Sequence, residues 1–100
     1  MKTVLIEYVL KESASTEEVE RDIAAFIHGI RDLGVGIRYA SHRRQNVERA
    51  YAHVGYIPND EALKALQAAP FFDRFSAALR PRGAEGPRAS WLEVVASTDG

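Results

Sequence analysis

Among the 3 histidines, 4 tyrosines and 1 tryptophan of the chain, His53 has the setting that best suits proton chemistry. It sits inside Arg49-Ala50-Tyr51-Ala52-His53-Val54-Gly55-Tyr56-Ile57, a strand-like run closed by the turn Pro58-Asn59-Asp60. An imidazole in mid-strand lies in a core or at an interface, where it must find hydrogen-bond partners. Its ordinary pKa near 6.5 also suits it to take up and release protons. Two roles follow for His53: a structural hydrogen bond across an interface, or acid–base catalysis. His28 borders the apolar stripe of a helix, and His42 stands at a polar strand end beside Arg43 and Arg44. No pair of the three has helical metal-ligand spacing, so no metal is expected. The chain has no cysteine, which excludes disulfides, thiolate catalysis and cysteine-based zinc sites. No nucleophile–base pair, phosphate-binding glycine loop or carboxylate dyad is visible. Phe71, Phe72 and Phe75 could roof a hydrophobic pocket between helices and sheet. With Tyr8, Tyr51 and Trp91 they are the candidate contacts for a small molecule, with His53 as the candidate acid–base residue. All of these aromatic residues also read as core packing.

These residues need a scaffold, and the bulk properties allow one domain, residues 1–100, of ordinary globular composition. A formal net charge of -1 gives no general attraction to nucleic acid or anionic lipid. No apolar run approaches the ~20 residues of a membrane span. The first residues read as a strand rather than a signal peptide, and the expectation is a cytoplasmic protein.

Thr3 to Leu10 is β-branched and aromatic-rich, with Val4, Ile6, Tyr8 and Leu10 on one face and Leu5, Glu7 and Val9 on the other. Ser15 to Glu18 forms a capping box. Val19, Ile23, Phe26, Ile27, Ile30 and Leu33 follow as one helical stripe, and Gly34 is the expected C-cap. Val35 to Arg43 reads as a second strand, Arg44-Gln45-Asn46 as a turn, and the His53 stretch as the third strand, antiparallel to the second. Asn59 or Asp60 caps a second helix, which Pro70 interrupts with a kink or short break before Phe71 to Leu79. Arg80 to Arg88, with two prolines and two glycines, is expected to be a loop, and Ala89 to Ser97 the fourth strand.

The resulting order is that of an α+β, ferredoxin-like βαββαβ plait: a four-stranded antiparallel sheet with two helices on one face. Leu5, Val9, Tyr51, Trp91 and Val95 are assigned to the other face, which is too apolar for a solvated surface. A second copy of the chain, joined by a two-fold contact through that open face, is the expected cover.

The long first helix, the block from Tyr51 through Glu61-Ala62 and Pro70-Phe71-Phe72 to Phe75, and a fourth strand after a Pro/Gly loop together resemble the dimeric α+β barrel superfamily. This group includes antibiotic-biosynthesis monooxygenase-like and stress-responsive proteins. The resemblance spans nearly the whole chain and implies a homodimer whose two sheets close a barrel. Haem-degrading members use an asparagine on the first strand and a histidine on the second helix. Glu7 and Tyr8, and Phe71-Phe72, stand in those places, so no cofactor is expected. The resemblance implies cofactor-independent oxygenation of a small apolar aromatic or quinol-like substrate; the alternative is a non-catalytic binding or structural module of the same fold. A minor variant arises because Arg49 to Tyr56 is similar to the third-strand signature of the RNA-recognition motif. Tyr51 and His53 would then stack bases on a free sheet face. Leu5 in place of the companion aromatic and the slightly negative charge speak against nucleic acid as a partner.

Overall fold

A computed structural model describes residues 1–99. The strands are β1 (Lys2–Leu10), β2 (Arg38–Arg43), β3 (Ala50–Ile57) and β4 (Gly83–Leu92). The helices are α1 (Thr16–Leu33), α2 (Asp60–Ala68) and α3 (Pro70–Leu79), and a 3-10 turn over Arg80–Arg82 leads into β4. The antiparallel sheet has the order β2-β3-β1-β4, the ferredoxin-like arrangement.

The expected start and stop signals of α1 work as chemistry. Ser15 Oγ accepts from the Glu18 amide at 3.2 Å, and Gly34 ends the helix in the left-handed conformation at φ 65°. The Glu18 carboxylate, however, reaches Arg82, at 3.3 Å. Arg82 also bonds Asp22 at 2.6 Å, so α1 is tied to the turn before β4. Val19, Ile23, Phe26 and Ile30 are the buried stripe of α1. On β1 the alternation places Val4, Tyr8 and Leu10 in the core.

Two open alternatives are decided, and the bounds of one strand are corrected. The interruption at Pro70 is a break into two helices and not a kink, because Pro70 supplies no amide and Ala69 turns to extended backbone between them at ψ 135°. Three helices therefore cover the sheet. Of the two expected caps of α2, Asn59 is the one that serves, its Oδ1 accepting from Ala62 N at 2.8 Å. The second strand is confined to Arg38–Arg43, after Gly36 at φ 82° has turned the chain.

The largest correction concerns β4. It starts at Gly83, inside the segment read as a loop, and ends at Leu92 instead of Ser97. Within the chain β4 pairs only with β1, so its outer edge can hold Pro87, which lacks an amide. Gly86 serves the register shift opposite Glu7 to Val9. It has φ 79°, and a Cβ there would meet Glu7 O at 2.7 Å. The ladder ends at the Thr3–Leu92 pair. Val94 and Val95 lie beyond it, exposed.

Register also corrects the assignment of faces. Tyr51 is paired with Tyr8, and the rings stack with centroids 5.6 Å apart on the helix-covered side. Trp91 stands opposite Val4 and shares that side. The open face instead carries Leu5, Val9, Val54, Tyr56 and Leu92, interspersed with Glu7, Arg38, His42 and Arg88. Tyr51 and His53 are both buried under helices. That removes the free stacking surface an RNA-recognition motif would need.

Candidate functional site

Strand alternation puts Tyr8 on β1, Tyr39 and Ser41 on β2, and Tyr51 and His53 on β3 on the covered side of the sheet. His53 is 1% exposed, and its ring is held from both ends. Nε2 lies 2.7 Å from the Tyr8 hydroxyl. Nδ1 lies 3.0 Å from the Tyr39 hydroxyl and 3.2 Å from Ser41 Oγ. Burial pushes the His53 pKa down to about 4, and nearby His42 adds to the effect. At neutral pH the ring is therefore uncharged: one nitrogen carries a proton and the other accepts one. Burial raises the pKa of both the Tyr8 and Tyr39 phenols, with Tyr39 and Tyr51 adding to the rise at Tyr8. All three groups are neutral hydrogen-bonding groups that can both donate and accept. No buried side-chain nitrogen or oxygen among the described residues lacks a partner.

This polar cluster opens onto a cavity of about 390 Å³. Its floor is the sheet, through Val4, Ile6 and Tyr8 of β1, His53 and Ile57 of β3, and Ala89 and Trp91 of β4. Its roof is split between Leu63, Leu66 and Gln67 of α2 and Phe72, Phe75, Ser76 and Leu79 of α3. The lining is mainly hydrocarbon and aromatic ring, with buried Tyr8 and His53 and half-buried Tyr39 as polar groups and Arg80 as a cation on the wall. Trp91, 54% exposed, and Pro87 lie on the β4 side. The volume falls within the range of small-molecule sites, and an apolar chamber with convergent polar groups is the usual form of one.

Of the expected contact residues, Tyr8, Phe72, Phe75 and Trp91 line this cavity together with His53. Tyr51 and Phe71 do not. The Tyr51 hydroxyl donates to Glu20 Oε2 at 2.7 Å, and Glu20 also receives the Arg43 guanidinium at 2.7 Å. That environment pushes the Tyr51 phenol up to about 12, by burial first and the Glu20 bond second. The Arg43 and Tyr51 bonds in turn hold the Glu20 carboxyl below its usual range. Phe71 stacks edge-on against Phe26 at 5.7 Å and presses over Gly29, where a Cβ would meet its ring at 2.7 Å.

Arg38, His42, Arg43 and Arg44 do not form one anion site. Arg38 and His42 share the open face, while Arg43 is turned to Glu20. His28 lies exposed 3.5 Å from Asp32. Among the described residues no cluster of His, Cys, Asp and Glu could hold a metal ion.

The sequence reading missed Tyr39 and Ser41. Pairing β2 with β3 in the observed register puts Ser41 opposite His53 and Tyr39 opposite Gly55. The signal was therefore an alternating Tyr-x-Ser on the neighbouring strand, legible once register is known.

A scan of the sequence against protein-family models finds no match, and neither does a search of the curated proteins. Solved structures do match. An antibiotic biosynthesis monooxygenase superposes with TM-score 0.85 at 16% identity, over 96% of this chain and 100% of that one. SnoaB, a cofactor-independent oxygenase from Streptomyces nogalater, gives 0.81 at 14% identity, over 99% and 97%. A Pseudomonas aeruginosa protein, PA3566, gives 0.81 at 19% identity, over 95% and 94%. At these identities the likeness establishes the fold: this chain has the α+β fold of antibiotic biosynthesis monooxygenase-like proteins. No helix among the described residues is long and apolar enough to cross a membrane.

Proposed function

We propose that the protein is a cofactor-independent oxygenase that binds a small apolar phenol or quinol in the 390 Å³ cavity, with His53 and Tyr8 handling its protons. The observation that carries this reading is the pairing of an apolar chamber with a neutral, fully hydrogen-bonded imidazole on its wall. A solved cofactor-independent oxygenase of the same fold supports it.

The substrate hydroxyl hydrogen-bonds to the Tyr8 oxygen. Its proton passes to Tyr8 as the Tyr8 proton passes to His53 Nε2, leaving the electron pair on the substrate. The electron-rich anion then reduces dioxygen and forms a carbon–oxygen bond, giving a peroxide on a CH carbon. The peroxide takes up one proton and loses water, so the substrate's C–OH, its ring C–H and O2 become two C=O groups and H2O. The protein's part is to exclude bulk water, hold the anion beside donors and move one proton out and one back. Phe72, Phe75 and Trp91 supply aromatic surface to the ring system.

Oxygen uptake with a panel of quinols and anthrone-like phenols tests the reading. His53→Gln keeps hydrogen-bonding atoms but cannot cycle a proton, and is expected to lower kcat about 10²-fold, the lower end of acid–base contributions. Uptake that persists unchanged in this variant removes His53 from the mechanism. Binding of the panel without any uptake by the wild type identifies a binding module instead.

The functional unit in this reading is a homodimer through the open sheet face, where Leu5, Val9, Val54 and Leu92 lie among charged neighbours. Val54→Glu places a charge at the middle of that face. The expected result in sedimentation velocity is a dimer for the wild type and a monomer for the variant at micromolar concentration. A wild-type monomer rejects this assembly.

A further inference from the structure

A proton that reaches His53 Nε2 needs an exit, because the inner cavity is apolar and burial disfavours a charged imidazole. A second hollow, of about 690 Å³, lies between α1 and β2 and opens to solvent; it is lined by the two residues that bond Nδ1 and not by His53 itself. Tyr39 lines both hollows, Ser41 only the outer one, and Tyr8 faces the inner cavity but not this outer cleft. We infer that Tyr39 and Ser41 complete a proton conduit that runs from the inner cavity, through Tyr8 and His53, to the outer cleft.

This rests on the proposed oxygenase function and deepens it. The links are continuous hydrogen bonds: Tyr8 hydroxyl to Nε2 at 2.7 Å, then Nδ1 to the Tyr39 hydroxyl at 3.0 Å and to Ser41 Oγ at 3.2 Å. Every member is amphoteric in hydrogen bonding, so a proton can enter on one side of each group and leave on the other. In the outward step the substrate O–H bond breaks and a Tyr8 O–H bond forms, while the former Tyr8 proton goes to Nε2. The Nδ1 proton leaves to Tyr39 or Ser41, whose own hydroxyl proton goes to water in the cleft. The ring changes tautomer and never needs to hold a net charge. Protonation of the peroxide runs the same bonds inward and resets the ring, so the cycle closes with no net proton.

Two features position the outer half. Ser41 is the cross-strand partner of His53. Tyr39 lies across Gly55, where a Cβ would meet its ring at 2.9 Å, so the glycine lets the ring lie flat enough for its hydroxyl to reach Nδ1. Tyr39 and Ser41 are positioning residues, since neither needs to touch the reacting atoms.

The test removes the outer hydroxyls and follows the proton separately from the chemistry. With the inner cavity filled by naphthalene, NMR reads exchange of the Tyr8 hydroxyl proton with water. Tyr39→Phe with Ser41→Ala is expected to slow that exchange at least ten-fold. Ser41→Ala alone is expected to slow it about three-fold, and Tyr39→Phe with Ser41→Thr to recover most of the rate. In turnover the double variant is expected to lose about ten-fold in kcat with KM within two-fold. Exchange unchanged in the folded double variant overturns the conduit. If the double variant does not fold, unchanged exchange in Ser41→Ala overturns it. Slowed exchange in a protein that consumes no oxygen supports the conduit and rejects the oxygenase reading.

Discussion

Stability is expected to fall as the pH is lowered from about 6.5 toward 4, by about 3 kcal/mol in all, and His53 is the cause. In the folded protein the His53 pKa is pushed down to about 4 by burial, whereas in the unfolded chain it is near 6.5. Between those values the unfolded state binds the proton and the folded state does not, so acid favours unfolding. The contribution is fully present above pH 6.5 and stops changing below pH 4. Most of the loss falls above pH 4.5. That separates it from the carboxylates Glu20 and Asp60, which are held below their usual range in the fold and whose contributions are lost at lower pH. Urea unfolding at half-unit pH steps measures the slope. His53→Gln should flatten it between pH 6.5 and 4.5, whatever its effect on absolute stability. An equally steep variant assigns the acid sensitivity to other groups.

Phe26→Ala is expected to be the most damaging single truncation near the site, at about 3–5 kcal/mol. Phe26 is buried and is the ring against which the aromatic cluster packs. Its centroid lies 4.7 Å from Phe75, 5.4 Å from Tyr39, 5.7 Å from Phe71 and 6.2 Å from Phe72. It also lines the cavity. Loss of the ring would remove the hydrophobic transfer energy and leave a void that joins the chamber already present. Aromatic edge contacts worth about 0.5–1.5 kcal/mol each would go with it. Domains of this kind have a total stability of about 5–15 kcal/mol, so the variant should sit near the unfolding threshold. Thermal unfolding checks this. A cost below about 1 kcal/mol would mean that the cluster repacks over the gap. Because Phe26 touches Tyr39, the same variant should loosen the Tyr39–His53 hydrogen bond.

The sequence made some of this legible because the signal was local. Ser15 and Gly34 bound α1 by capping chemistry that needs no partner element, and the two faces of β1 follow from alternation alone. His53 announced itself as an imidazole inside a strand. What was hidden depends on pairing. Trp91 and Tyr51 belong to strands whose alternation is evident, yet which alternate faces the helices is decided only by the register against Val4 and Tyr8. Gly86 and Pro87 look like loop residues, and become strand residues because β4 is an edge strand that bends over Glu7 to Val9. Tyr39 and Ser41 carry no motif, and their importance comes from lying beside His53.

The hydrogen bonds around His53 have an evolutionary consequence. Nε2 of His53 has Tyr8 as its partner and Nδ1 has both Tyr39 and Ser41, so replacing Tyr8 alone, or Tyr39 and Ser41 together, leaves a ring nitrogen without a partner, at about 1–3 kcal/mol. Replacing Tyr8 and His53 together removes both the group and its orphan, whereas Tyr39 and Ser41 back each other up at Nδ1. The effects of substitutions here should therefore be epistatic, the Tyr8–His53 pair milder and the Tyr39–Ser41 pair harsher than the sum of singles. A lineage that abandoned the His53 chemistry would tend to lose these residues together, and a lineage that kept it would tend to keep them together. The polar core beneath α3 should therefore change as a block, whereas hydrocarbon positions such as Ile57 are free to change one at a time.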